Sequence, residues 1–363
     1  MEPTLAELTD SMVSTYLGYR GGPFIIITDN SRSDIADSVR ASAERIVTEV
    51  RKDVRIINLD DWRNGAPLTH LPDGLKEAVE SGLHHPDNNY NLLVYLKQAV
   101  DEERPAMEQI ANIATPRGKV GGLPNCTFEV LKEAYHPQNN PDFGKELFDF
   151  ISNEECVLFV GNGTKLFVDI NNTRFTPVNS DGILIPGKPA NIIPGEVYVH
   201  PENADGKYVI NSSYGPLMDG GPFAGNYPAL EAILARNPII WKIKHGRITD
   251  VGCSDKLIRR FVLNYVFEKD TKYGNGDRIG EGGFPTNLYM MSRKLTGNTA
   301  MDEKAEPHIG HGKGHSERTR CDYESSVHGD ALVNGVSLFA VKHNKWFMLN
   351  GIYRPEVFVS LRR

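Results

Sequence analysis

Short apolar runs alternate with segments of helical period over the first 150 residues. In GGPFIIITDN the run Ile25, Ile26, Ile27, Thr28 is β-branched and closed by turn-forming residues, which predicts a buried strand. An N-terminal helical segment precedes it. In SRSDIADSVRASAERIVTEVRKD, which follows, Ile35, Val39, Ala43, Ile46, Val47 and Val50 recur near helical spacing, and Ser31 or Ser33 can cap the start. VRIINLDDW predicts a second strand. Strand, helix and strand in that order predict a right-handed crossover onto a parallel sheet. The pattern continues with a helix over 75–81, a strand core at 92–96 in YNLLVYLK and a helix over 104–114.

Two amphipathic segments, 125–135 and 143–152, close this region, and then the pattern changes. From CVLFVGNGTKLFVDINNTRFTPV onward, strands closed by Gly, Asn and Asp predominate, beginning with a hairpin that turns at 161–164. PGEVYVHPENADGKYVINSSYG predicts two strands joined by a polar turn, with Glu196, His200 and Glu202 on one strand parity. A helix is expected over 255–268, a glycine-rich loop at RIGEGGFPTN, and a terminal hairpin in SLFAVKHNKWFMLNGIY turning near Asn344 and Lys345. The expected architecture is an α/β domain with a mainly parallel sheet over 1–152. A mainly β (α+β) domain over 153–363, with one clear helix, carries the metal site. A chain of 363 residues suits two cores, since single cores stop growing near ~250–300 residues.

Charge narrows the function classes. The net charge is -7 and the pI about 5.9, with no stripe of Lys and Arg to neutralise successive phosphates, so nucleic acid is not an expected partner. No apolar run is long enough for a membrane, and the mixed, acidic start lacks the form of a secretory signal. Cys126, Cys156, Cys253 and Cys321 form no CxxC pair; free thiols in a reducing cytoplasm are the simplest account, which makes a cytoplasmic protein the expectation. GYRGGP precedes its strand and GNGTK leads into one, so neither is a nucleotide-binding loop.

The candidate chemistry lies in 302–330, DEKAEPHIGHGKGHSERTRCDYESSVHGD. His308, His311, His315 and His328 stand there among Asp302, Glu303, Glu306, Glu317, Asp322, Glu324 and Asp330. Imidazole with carboxylate suits a divalent ion, whereas the lone Cys321 cannot make a thiolate site and is expected to be structural. If SSVHGDALV is a strand, His328 and Asp330 project from one face. His308, with Glu303 five residues upstream, is the preferred third ligand, and His311 and His315 are expected further out, as supporting or substrate-facing groups. Glu196 follows Gly195, which permits close approach; Asp169 is expected to be structural.

NIIPGEVYVHPENADGKYVI, RIGEGGFPTN, DEKAEPHIG and HGDALV, in this order after an α/β domain, resemble the aminopeptidase T family of metallopeptidases (leucyl aminopeptidase, thermophilic type). They are also similar to its relative, the iron-dependent 2,5-dihydroxypyridine 5,6-dioxygenase. NCTFEVLKEA and GTKLFVDINNTRF look like that family's domain junction and first hairpin. The resemblance implies two metal ions between the domains, with Glu196, Glu303, His308, His328 and Asp330 as ligands, and a homodimer or larger homo-oligomer.

This chain departs from that pattern. Matching the family's G-x-G turn to Gly280-Glu281-Gly282 puts Arg278 at a ligand position, and arginine stays cationic and cannot ligate. Either Glu281 reaches in, or one metal site is lost. His315 stands at the family's catalytic tyrosine. In the dioxygenase the positions of Arg278 and His308 are a histidine and a serine.

The leading expectation is a metal-dependent hydrolase of an amide or peptide-like bond. It would take a small-molecule or peptide substrate and one or two Zn, Co, Mn or Fe(II) ions, one being favoured if Arg278 replaces a ligand. Glu281 or Glu303 would act as base, and His315 or Arg278 would steady the oxyanion. The alternatives are a mononuclear Fe(II) oxygenase of a small (hetero)aromatic ring, using His308, His328 and Asp330, and a metal-free peptide-binding member of a biosynthetic pathway.

Overall fold

The computed structural model describes residues 2–46, 52–83, 91–97, 103–124, 126–170, 172–184, 186–187, 190–219 and 221–362. The chain forms two compact units, Met1–Gln138 with Asp181–Pro194, and Asn139–Ser180 with Gly195–Arg363. Among the described residues no helix is long and apolar enough to cross a membrane.

In the first unit β1 (Gly22–Thr28), β2 (Lys52–Asn58), β3 (Asn91–Lys97), β4 (Gly118–Pro124) and β8 (Ala190–Asn191) make a parallel sheet in the order β2-β1-β3-β4-β8. Pro23 to Thr28 are all buried, as expected of a strand covered on both faces. Helix Ser33–Ile46 buries Ile35, Ala36, Val39 and Ala43; Asp29, rather than Ser31 or Ser33, caps the turn that leads into it, accepting from the Ser31 amide. Val47 and Val50 lie outside the described residues.

Helices Asp73–Gly82, Arg104–Ala114 and Phe128–Tyr135 follow the sequence pattern; Asn125, where the last was expected to begin, is outside the described residues, and Thr127 caps it. β2 ends at Asn58, because Asp60–Arg63 turns into a helix. β4 was not expected from its glycines. Gly121 is required there, since a Cβ would meet the Ile192 side chain at 2.4 Å and Leu184 at 2.9 Å.

The division differs from the expected boundary at 152. Helix Pro141–Ser152 belongs to the second unit because Phe143, Leu147 and Ile151 enter its core, with Phe143 edge-on to Tyr353 and Phe358. Conversely, Asp181–Pro194 returns to the first unit: β8 pairs with β4, and the Tyr135 hydroxyl donates to the Ile192 carbonyl at 2.6 Å.

The second unit has two antiparallel sheets. One has eight strands: β5 (Cys156–Gly161), β6 (Thr164–Asp169), β10 (Asn203–Ile210), β12 (Ile239–Lys244), β13 (Arg247–Gly252), β17 (Ser337–Ala340), β18 (Lys345–Leu349) and β19 (Ile352–Tyr353), in the order β13-β12-β10-β6-β5-β17-β18-β19. The other has six: β7 (Val178–Ser180), β9 (Glu196–Val199), β11 (Ser213–Tyr214), β14 (Ile279–Pro285), β15 (His308–Gly312) and β16 (His328–Leu332), in the order β11-β16-β15-β14-β9-β7. Phe159, Leu166, Tyr208 and Trp241 of the first share one core with Val197, Phe284, Ile309 and Ala331 of the second.

Several expectations change here. The β5–β6 hairpin turns at Asn162-Gly163, both at positive φ, as its sequence predicts. β9 and β10 enter different sheets, and β9 ends at Val199, so His200 and Glu202 lie beyond it. RIGEGGFPTN is not a loop: all seven residues of β14 are buried. The expected helix spans Lys256–Phe267 and is joined by Tyr227–Leu234, whose Asn226 cap and Pro228 were a readable start signal.

Asp270 ties the approach to β16 in place. Its carboxylate accepts from the amides of Tyr273, Asn275 and Ser326 and from the hydroxyls of Ser325 and Ser326. Burial opposes the charge, but these bonds outweigh it and hold the carboxyl well below its usual range. Asp270→Ala is expected to cost about 3 kcal/mol and to lower Tm by roughly 6–12 °C, read by calorimetry. A depressed folded pKa gives stability that is present above the unfolded value of ~3.9 and lost as pH falls through the folded one. Asp270→Asn is therefore expected to flatten Tm against pH below pH ~5; curves parallel to the wild type would show that this carboxylate is not the source.

Candidate metal centre

The register of the six-stranded sheet brings the acidic and imidazole groups to one face. Gly310 of β15 stands opposite both Glu281 of β14 and Asp330 of β16, while Gly283 stands opposite His308. Pro285 pairs with Glu196 of β9, and Gly312 with His328. The pairing of β14 with β15 slips between Ile279 and Glu281, a bulge at Gly280 that re-aims the glutamate. At Gly280 a Cβ would meet the Lys313 carbonyl at 2.6 Å, and His200 Nδ1 donates to the Gly280 carbonyl at 2.8 Å.

Glycines make the room. At Gly283 a Cβ would lie 2.0 Å from His308 Nε2, so the imidazole occupies the place of a side chain on β14. At Gly310 it would lie 2.8 Å from Asp330 Oδ1, 2.9 Å from Glu281 Cβ and 3.1 Å from His328 Cε1. Side chains from β14 and β16 therefore converge over Gly310 of β15.

Glu281 is at the centre. His308 Nε2 lies 3.4 Å from Glu281 Oε1 and 3.6 Å from Glu196 Oε2; His315 Nε2 and His328 Nε2 lie 3.6 and 3.9 Å from Glu281 Oε2. His328 Nε2 is also 3.1 Å from Asp330 Oδ1. His308 Nδ1 faces the Glu306 carbonyl at 3.2 Å, and His328 Nδ1 faces the Lys313 carbonyl at 3.0 Å. With Nδ1–H donated to backbone, each Nε2 is left to accept a cation inside the cluster, the arrangement common to metal-ligating histidines.

Among the described residues two trios have ligand atoms within 4.8 Å of one another: Glu281, His315 and His328, and Glu196, Glu281 and His308. Both contain Glu281. Glu196 Oε2 is buried without a hydrogen-bond partner, an oxygen that a cation would satisfy, and Asp330 Oδ1, also buried, has only the ion-pair contact with His328 and no well-aligned hydrogen bond. Donor types, converging Nε2 atoms and the orphaned oxygen all fit a divalent ion.

The charges explain the protonation. Burial alone would discharge the imidazoles, but Glu281, Asp330 and Glu196 push His308 up to about 10, and Asp330 with Glu281 pushes His328 to about 10. Burial raises Asp330 and Glu281, yet the histidines around them hold both below their ordinary values. Glu303 is pushed up to about 8, by burial against the pull of Lys304 and with Glu196 and Asp330 adding to the rise.

Placement ranks the expected residues differently from the sequence. Glu196, Glu281, Glu303, His308, His328 and Asp330 all come together. Glu303 joins from the end of the short helix Thr299–Asp302 rather than from the sheet. His315, expected further out, lies beside Glu281 with its ring 5.0 Å from that of His328, on a residue at φ +51°.

His311 takes neither of its expected roles. It points to the opposite face, fully buried, held by the Gly276 carbonyl and the Tyr214 hydroxyl at 2.6 Å and pushed down to about 4 by burial. Arg278 has its guanidinium over the Tyr323 ring at 4.5 Å. Cys321 is buried, its thiol raised by burial and in line with a structural role.

One central residue went unread in the sequence. Lys304, nearly buried, bonds through Nζ to Glu196 Oε1 and to Glu303 Oε1, the latter at 2.6 Å. The signal was present as the lysine in DEK, directly after a proposed ligand.

No model of a known protein family and no curated protein matches the chain. Among solved structures, wild-type AmpT (aminopeptidase T) from Thermus thermophilus superposes with a TM-score of 0.64, covering 96% of this chain and 98% of that one at 15% identity. The 2,5-dihydroxypyridine dioxygenase of Pseudomonas putida KT2440 gives 0.62, covering 97% and 98%, also at 15% identity. Over nearly its whole length the chain therefore shares one fold, an α/β part and a mainly β part, with both an aminopeptidase T and a 2,5-dihydroxypyridine dioxygenase.

Proposed function

We propose that the second unit is a divalent-metal hydrolase of an amide or peptide-like bond. The observation that carries this reading is the pair His308 and His328, each tied at Nδ1 to a backbone carbonyl and directed by Nε2 at a buried carboxylate cluster centred on Glu281. Glu281, His315 and His328 form a two-histidine, one-carboxylate set, a donor group typical of hydrolytic zinc. A bound divalent ion would polarise the scissile carbonyl and lower the pKa of its water toward ~7.

The chain's own groups then divide the work. Glu281, common to both trios, is a donor to the ion, which leaves Glu303, off the sheet and poised near neutrality, to take and return the water's proton. His315 and His328, about one-third and one-quarter exposed, are the open side of that set, from which a substrate would reach the ion. The substrate class is a peptide or a small amide, in keeping with the aminopeptidase among the structural neighbours.

The same trio also suits a mononuclear Fe(II) oxygenase. What favours hydrolysis is the second carboxylate group, Glu196 with Glu303, beside it. The triad of His308, His328 and Asp330 is not among the trios that lie within 4.8 Å of one another in the described residues.

His328→Ala and Glu281→Gln are each expected to lower metal affinity and kcat/KM on responsive peptides or aminoacyl amides by at least ~100-fold; unchanged metal content and turnover in His328→Ala would end this reading. Gly310→Ala is expected to lower metal content as well, because its methyl enters the space of Asp330 and Glu281. Anaerobic loading with Fe(II) followed by oxygen-electrode measurement is expected to show no substrate-dependent oxygen uptake, whereas zinc supports turnover. Stoichiometric uptake would establish the oxygenase instead.

A further inference from the structure

Two carboxylates of the cluster already have a cation. Lys304 is only 6% exposed at its side chain, and its ammonium bridges Glu196 Oε1 and Glu303 Oε1. Its stem is seated closely: Gly195, at φ +137°, approaches it so nearly that a Cβ there would lie 3.0 Å from Lys304 Cβ and 2.8 Å from Asn287 Cβ. The backbone before Glu196 is thus packed directly against the base of the Lys304 side chain. A buried ammonium that bridges two carboxylates takes the place in which those oxygens would otherwise ligate a metal ion.

Glu196 and Glu303 are two of the ligands implied by the resemblance to two-metal peptidases. A further implied ligand position holds Arg278, and its guanidinium is stacked on Tyr323. Two observations, a lysine bridging two acids and an arginine at an implied ligand position, remove donors from a second ion. The donors that remain all meet at Glu281, which His315 and His328 approach at one oxygen and His308, beside Glu196 Oε2, at the other.

We propose that Lys304 is a built-in monovalent replacement for one of two divalent ions, so that this centre binds a single divalent ion, at Glu281, with the positions facing Glu196 Oε1 and Glu303 Oε1 closed to metal. The proposal rests on the reading of the cluster as a metal centre. It specialises that reading, since a single ion with an ammonium beside it has one fewer position for an incoming carboxylate, amine or water. Lys304 is a positioning residue here, acting through the two glutamates.

The test is stoichiometry. The full-length protein, equilibrated with micromolar Zn(II) and dialysed, is expected to hold one ion per chain by elemental analysis and native mass spectrometry. Lys304→Met, which removes the charge and keeps the length, is expected to hold two, and Lys304→Arg one. Two ions in the wild type, or one in a folded Lys304→Met, overturns the proposal while leaving the metal centre standing; no ion in the wild type removes both.

Should Lys304→Met fail to fold, the wild type alone decides by electron paramagnetic resonance. With excess Mn(II) the bound metal is expected to give an isolated single-ion spectrum. A spin-coupled pair signal, as from ions roughly 3.5–4 Å apart, overturns the proposal.

Discussion

Four carboxylates, Glu196, Glu281, Glu303 and Asp330, converge on one face of a sheet whose other face is hydrophobic core. Like charges gathered out of water cost several kcal/mol each unless opposed, and no packing can relieve that cost. Much of the second unit can be understood as meeting it. His308, His315 and His328 bring imidazoles to the carboxylates, Lys304 brings an ammonium, and glycines at 280, 283 and 310 clear the space in which these groups approach. The orphaned oxygen of Glu196 is what remains for an ion to satisfy.

The support behind this face is rigid. His311 stacks on Tyr214, packs edge-on to Trp241 and Tyr265, and is bonded at both nitrogens, so it is a neutral core group. His200 grips the carbonyl of the bulge at Gly280, and Asp270 fixes the segment before His328. A functional cluster needs its side chains held to within ~0.5 Å, and strands with bonded flanking segments provide that better than loops do.

One fold here is shared with an aminopeptidase and with an oxygenase, so the fold does not select the chemistry. The donor set does. A two-histidine, one-carboxylate group at Glu281, with a second acidic pair beside it held by lysine, is a composition that neither neighbour's name implies. It combines Lys304 with this chain's departures at 278 and 315 from the pattern that the sequence resembles.

By itself the sequence determined the layers and the candidate donors. The run at 25–28, the helical spacing from Ile35 to Ala43 and the Asn-Gly turn at 162–163 rest on local sterics and periodicity, which act within a few residues. The parity of His328 and Asp330 is likewise local. Only the tertiary structure decided what depends on partners far along the chain. RIGEGGFPTN reads as loop because its glycines have poor strand propensity, yet they are selected by His308 and Lys313, which approach from β15 and beyond. Glu281 became central, His315 came in beside it and His311 turned into the core, because a one-residue bulge and a left-handed residue re-aim side chains in ways that spacing does not encode. Lys304 is adjacent to Glu303 in sequence, but its second partner, Glu196, is 108 residues away, and only folding brings that charge within reach.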